Sequence, residues 1–96
     1  MKIIDNVTTT IPNGEDKFLD YTTLISLCIN QQSEKWYTID EMKKRIRILD
    51  ILEKSDKKIE LEDADFEKVK ELVNTMPWAV IKKDIVTFVE YINNQK

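Results

Sequence analysis

The sequence predicts an α+β fold that is mainly α: an N-terminal β-hairpin or extended arm followed by about four helices. Three observations predict it. The only glycine and one of the two prolines stand together in Ile11-Pro12-Asn13-Gly14, between a β-branched run and a second apolar stretch, which is the pattern of a hairpin. Thr38-Ile39-Asp40-Glu41 fits a helix-capping box. From there to the end, apolar residues recur at three- and four-residue spacing in three successive segments, the period of amphipathic helices.

Residues 1–20 form the hairpin or arm in this reading. Val7-Thr8-Thr9-Thr10-Ile11 is β-branched throughout, Asn13-Gly14 supplies the positive φ angles of a tight turn, and Lys17-Phe18-Leu19-Asp20-Tyr21 returns as the partner strand. A two-stranded hairpin is marginal alone in water, so its apolar face must rest on the helices or on another subunit. Residues 21–96 form the helical body. Tyr21 to about Gln31 is densely apolar and uncharged, as a helix buried on most sides is, with Asp20 or Thr22 as its cap. The second helix starts at Thr38, with Glu41 reaching back to the Thr38 amide and Tyr37 stapled to Met42. Its expected core stripe is Ile39, Met42, Ile46, Leu49 and Leu52, widened by Ile48 and Ile51, and it ends near Ser55. Ile59-Glu60-Leu61 alternates like a very short strand. Glu62-Asp63-Ala64-Asp65 opens the third helix, because carboxylates suit the positive end of the helix dipole. Phe66, Val69, Leu72, Val73 and Met76 are its buried face, and Pro77 ends it. The fourth helix runs from Ala79 to about Asn93 and buries Ile81, Ile85, Phe88, Val89 and Ile92.

Ninety-six residues with 42% hydrophobic and 34% charged side chains are enough for one core and too few for two, so a single domain over 1–96 is expected. The net charge of -3 disfavours a general nucleic-acid binder. Met1-Lys2-Ile3-Ile4-Asp5 is too short an apolar stretch for a signal peptide, and no run approaches a membrane span. The lone Cys28, inside Leu24-Ile25-Ser26-Leu27-Cys28-Ile29, has no internal disulfide partner and reads as a buried structural thiol of a cytoplasmic protein.

The chain contains no histidine, which removes Ser-His and Cys-His nucleophile pairs and the commonest zinc ligand. One cysteine builds no thiolate cluster, and one glycine builds no phosphate-cradling loop. Asp56, Glu60, Glu62, Asp63, Asp65 and Glu67 form an acidic stretch, but it lacks the central glycine and closing glutamate of a calcium loop. Helix capping accounts for it better. No catalytic residue, metal or cofactor is therefore expected, and the chain is expected to be non-enzymatic.

Two constellations point to binding. Lys43, Lys44, Arg45 and Arg47 form a basic cluster, either a solvated helix face balanced by Asp40, Glu41 and Asp50 or a surface for an anion or nucleic acid. Trp78, at the junction of the last two helices, and Val80, Val86 and Tyr91, off the main stripe of the last one, are the candidate protein-interface residues.

A further pointer is textual. The segments Thr38-Ile39-Asp40-Glu41-Met42, Arg45-Ile46-Arg47-Ile48-Leu49-Asp50 with Leu52-Glu53, Leu61-Glu62-Asp63-Ala64-Asp65-Phe66, and Phe88-Val89 with Tyr91-Ile92 resemble an uncharacterised family of small accessory proteins of tailed bacteriophages and prophages, over residues 37–93. The resemblance implies a small protein of virion assembly, or one that modulates a host or defence protein, acting by stoichiometric binding in the host cytoplasm. The expected function is thus binding to a protein partner, including self-association. The alternatives are a winged-helix-like DNA-binding regulator, and a binder of an anionic or nucleotide ligand at a subunit interface.

Overall fold

The fold was obtained as a computed structural model, in which residues 1–12, 14, 17–31, 37–78 and 81–95 are described. The chain runs β1 (Lys2–Asp5), β2 (Thr8–Pro12), β3 (Phe18–Asp20), α1 (Tyr21–Ile29), α2 (Ile39–Lys54), β4 (Lys58–Leu61), α3 (Asp63–Thr75) and α4 (Lys83–Asn93). It is α+β and mainly α, with two two-stranded antiparallel sheets among the described residues.

The hairpin pairs β2 with β3, Thr8 opposite Asp20 and Pro12 opposite Phe18, with an irregular register between. Residues 13–17 separate the strands, so the turn is longer than the two-residue turn read from Asn13-Gly14. Gly14 has φ 86°, the region that favours glycine; Asn13 lies outside the described residues. Thr9 is buried, and its hydroxyl donates to the Leu19 carbonyl at 2.7 Å. Tyr21 opens α1 rather than extending the return strand, and its amide donates to the Val7 carbonyl at 3.0 Å.

The strand β1 was not anticipated beyond an extended arm. It pairs with β4 over four residues, Lys2 opposite Leu61 through Asp5 opposite Lys58, which places Ile4 against Ile59 with both fully buried. Asn6 then ties the sheets together. Its amide donates to the Lys57 carbonyl at 2.9 Å, its side-chain nitrogen donates to the Asp56 carbonyl at 2.7 Å and to Asp20 Oδ2 at 3.3 Å, and its side-chain oxygen accepts from the Thr22 amide at 3.0 Å.

The first three helix starts follow the sequence closely. Asp20 caps α1, accepting from the Thr23 amide and hydroxyl at 2.8 Å each. Thr38 caps α2, accepting from the Glu41 amide at 3.1 Å. Glu41 does not complete the expected box: its carboxylate turns to Arg45 and Lys68, because two cations outbid one backbone amide. The fourth helix starts at Lys83, not Ala79, and Ile81 is fully exposed rather than buried. One cluster of buried residues joins β1, α1, α2, β4, α3 and α4, including Ile4, Leu24, Ile25, Ile48, Phe66 and Phe88. Among the described residues no helix is long and apolar enough to cross a membrane.

Candidate protein-contact face on the second helix

The stripe read for α2 is rotated in the structure. Ile48 and Leu52 are buried and Leu49 and Ile51 are packed against the core, but Ile39, Met42 and Ile46 are 65%, 43% and 50% exposed. Two stripes compete on this helix. One runs through Ile39, Met42 and Ile46; the other runs through Glu41, Arg45, Ile48, Leu52 and Ser55 at the same helical spacing. The second faces inward because its polar members all find partners.

Arg45 anchors that inward face. Its side chain is mostly buried; Nε donates to Glu41 Oε1 at 2.9 Å, and one guanidinium nitrogen donates to the Ile29 carbonyl at 2.7 Å and the Gln31 carbonyl at 3.3 Å. The guanidinium also lies 4.5 Å from the Tyr37 ring centre, whose hydroxyl donates to the Gln31 carbonyl. Arg45 thus satisfies the carbonyl end of α1, where orphan acceptors need donors. Glu41 receives Lys68 Nζ at 2.6 Å as well. The Lys68 ammonium, with Arg45 assisting, holds its carboxyl below the usual carboxylate range against the opposing effect of burial.

The four basic candidates are therefore not one surface. Lys43, Lys44 and Arg47 are exposed, whereas Arg45 is committed to the interior. Arg47 Nε lies 3.0 Å from Asp65 Oδ2. That contact is an ion pair without hydrogen-bond alignment, since Oδ2 is buried and accepts no hydrogen bond. Asp65 is only 7% exposed; the acidic run does open α3, as read, but Glu62 at the cap position makes no side-chain capping bond, and that reading does not include the burial of Asp65. The signal was present: Asp65, Val69, Leu72 and Met76 share a helical face.

Lys43, Ile46, Arg47, Asp50, Ile51 and Lys54 line one shallow furrow of about 440 Å³ along α2. A second groove of about 510 Å³, between α2 and α3, is lined by Lys44, Arg47, Asp65, Glu67 and Lys68 among others. It contains both signs of charge in close apposition.

The interface residues read for the last helix are dispersed. Trp78 is half-buried, edge-on to Phe88 with ring centres 6.3 Å apart. Tyr91 turns inward, its ring 5.6 Å from that of Tyr21 and its hydroxyl accepting from the Asp5 amide at 3.0 Å. Val86 is 57% exposed. Val80 lies outside the described residues. Cys28 is buried, and burial pushes its thiol up to about 12. Among the described residues no three His, Cys, Asp or Glu side chains are placed to share a metal ion.

No protein-family model, curated protein or solved structure matches the chain.

Proposed function

We propose that the chain is a non-enzymatic binding domain, a small accessory protein of the phage type, that works by stoichiometric contact with a protein presenting an apolar helical face. The outer side of α2 is the contact surface. One observation carries this: Ile39, Met42 and Ile46, three large apolar residues at helical spacing on one element, are left to water. These side chains are about half exposed, so leaving them so forgoes on the order of 1 kcal/mol apiece relative to full burial, and aligned exposed apolar residues mark contact surfaces more often than scattered ones do. Helix-in-groove recognition uses this i, i+3, i+7 spacing. The exposed cations Lys43, Lys44 and Arg47 form a polar rim beside the stripe.

What weighs against a DNA-reading helix is the fate of the cluster. Arg45 is withdrawn into the fold, Arg47 is shared with Asp65, and Asp40 and Asp50 interrupt the remaining charges.

The test is fluorescence anisotropy of a labelled helical peptide with a leucine face, titrated with the full chain. Wild type binds, Met42→Glu and Ile46→Glu lose binding, and Val86→Glu does not. Equal binding by Ile46→Glu, or loss confined to Val86→Glu, refutes the assignment. Tight binding to duplex DNA that collapses with salt would instead favour the regulator reading.

A further inference from the structure

We propose that β4 is the strand on which two copies of this chain meet, pairing antiparallel about a two-fold axis at Ile59 and so joining their β1–β4 sheets into a single sheet. This contact is independent of the outer face of α2.

The backbone decides which sheet edge is open. The Asn6 amide donates to the Lys57 carbonyl at 2.9 Å, and Ile4 lies opposite Ile59. Hydrogen-bonded pairs alternate along an antiparallel ladder. Ile59 and Leu61 therefore turn their N–H and C=O groups toward β1, and Lys58 and Glu60 turn theirs away. The Tyr91 hydroxyl accepts from the Asp5 amide at 3.0 Å on the far side of β1, as this alternation requires, and covers that edge there. On the β4 edge, no hydrogen bond among the described residues reaches the backbone of Lys58 or Glu60, and both residues are exposed. They line a groove of about 480 Å³ together with Ile51, Lys54 and Ser55 from the end of α2. Ile59 packs in the core with α2, while the Lys58 and Glu60 side chains point to the opposite face, so a groove lined by both opens across the edge. Unpaired backbone groups on such an edge are a template for another strand.

The charges of the strand select its occupant and register. Because Lys58 and Glu60 carry the free backbone groups, a two-fold antiparallel pairing sets Lys58 opposite Lys58, Glu60 opposite Glu60, or Lys58 opposite Glu60. The first and second place like charges at the axis. The third centres the axis on Ile59, forms the Lys58–Glu60 pair twice, and lets each pair exchange both of its backbone hydrogen bonds. Charges ordinarily blunt a strand edge; here they do so in every register but this one. Glu60 gains a cation, since among the described residues it makes no ion pair and faces Ile3 on β1. Lys58, 2.6 Å from Asp5, comes to stand between Asp5 and the mate's Glu60. Outside the strand, Lys57 falls opposite Leu61 of the mate and Asp56 approaches its Glu62; the last pair is repulsive and confines the seam to β4. So short a seam buries far less than the roughly 800 Å² per partner of a standard interface, and the dimer dissociates on dilution.

The experiment is sedimentation of the full chain from about 10 µM to about 2 mM, with backbone amide exchange at both ends of the range and circular dichroism to confirm that each variant is folded. The mass is expected to rise toward twice that of the chain. As it does, exchange at the Lys58 and Glu60 amides should slow, while the Ile59 and Leu61 amides, already bonded to β1, stay slow throughout. Glu60→Pro removes a donor that faces away from β1, a place where proline is tolerated, and should abolish the dimer with the fold kept. Glu60→Lys and Lys58→Glu should each weaken association on the order of tenfold, because both cross-strand pairs become repulsive. The double variant, and an equimolar mixture of the two single variants, should recover it, since each restores opposite charges at both pairs. A monomer at every concentration, a dimer kept by Glu60→Pro, failure of both rescues, or a dimer that leaves the Lys58 and Glu60 amides unprotected overturns the proposal. Loss of the dimer in Ile46→Glu but not in Glu60→Pro would assign the contact to α2 and equally overturn it.

Discussion

Replacing Arg45 by alanine removes the side chain that joins the end of α1 to the start of α2. Two well-placed charge-assisted hydrogen bonds are lost, to the Ile29 carbonyl at 2.7 Å and to Glu41 at 2.9 Å. Such bonds contribute about 1.5 to 3 kcal/mol each. Glu41 keeps Lys68, so its loss falls at the low end, but the Ile29 carbonyl is left at a helix end with its donor gone. The total is about 3 kcal/mol, a large share of the roughly 5 to 15 kcal/mol that holds a domain together. For a chain of this length that lowers Tm by roughly 12 to 24 °C. Lysine at this position keeps the charge but not the forked geometry, so Arg45→Lys should recover only part of the loss. Lys43→Ala, two positions away on the wet side, should change stability by less than about 0.5 kcal/mol. The assay is urea and thermal denaturation followed by circular dichroism on the three variants. An Arg45→Ala midpoint equal to that of Lys43→Ala would refute the structural role and return Arg45 to the exposed basic cluster.

Acid should weaken the fold through three carboxylates. Lys68 and Arg45 hold Glu41 low, the Thr10 hydroxyl and amide hold Asp84 low, and at Asp20 burial raises the pKa but the bonds from Thr23 and Asn6 outweigh it. All three folded values lie below the unfolded ones, so their stabilisation is complete above the unfolded carboxylate range near pH 4 and is lost as pH falls through the folded values. Urea midpoints between about pH 6 and pH 3 should fall with acid, and less steeply in Asp84→Asn; a flat profile would contradict the assignment. Cys28, its thiol pushed up to about 12, should resist a thiol-specific reagent at neutral pH until urea exposes it; prompt labelling of the native protein would show the site to be open. Asp65→Asn should shift stability by less than about 1 kcal/mol, because its partner Arg47 is 60% exposed and can rehydrate. A loss several times larger would mean that the ion pair anchors α2 to α3.

Much of this fold could be read from local chemistry. Thr38 and Asp20 cap helices as their side-chain oxygens dictate, Pro77 follows the end of α3, and the β-branched run before Pro12 forms a strand. Long-range choices were less legible. β1 has a single inward residue, Ile4, and gains its strand identity only from β4, far along the chain. On α2 the two stripes have equal periodicity, and apolarity alone favours the one that ends up in water. The inward stripe wins because α1 ends where Arg45 can reach its carbonyls, a fact set by tertiary placement. Tertiary placement likewise gives Trp78 and Tyr91 aromatic partners inside the fold, which their positions at the helix junction and off the main stripe do not reveal.

The seam between β1 and β4 has a consequence for how the chain folds. Asp5 and Lys58 meet across 53 residues, whereas the hairpin and the helix caps close over short stretches of chain. Long closures cost more chain entropy and are repaid late. The native partner of the first strand does not exist until residue 61 has been made, and until then Ile4 lacks its cover from Ile59. Asn6, bonded to both the Asp56–Lys57 turn and the start of α1, acts as the clasp that holds this late strand in register once it arrives.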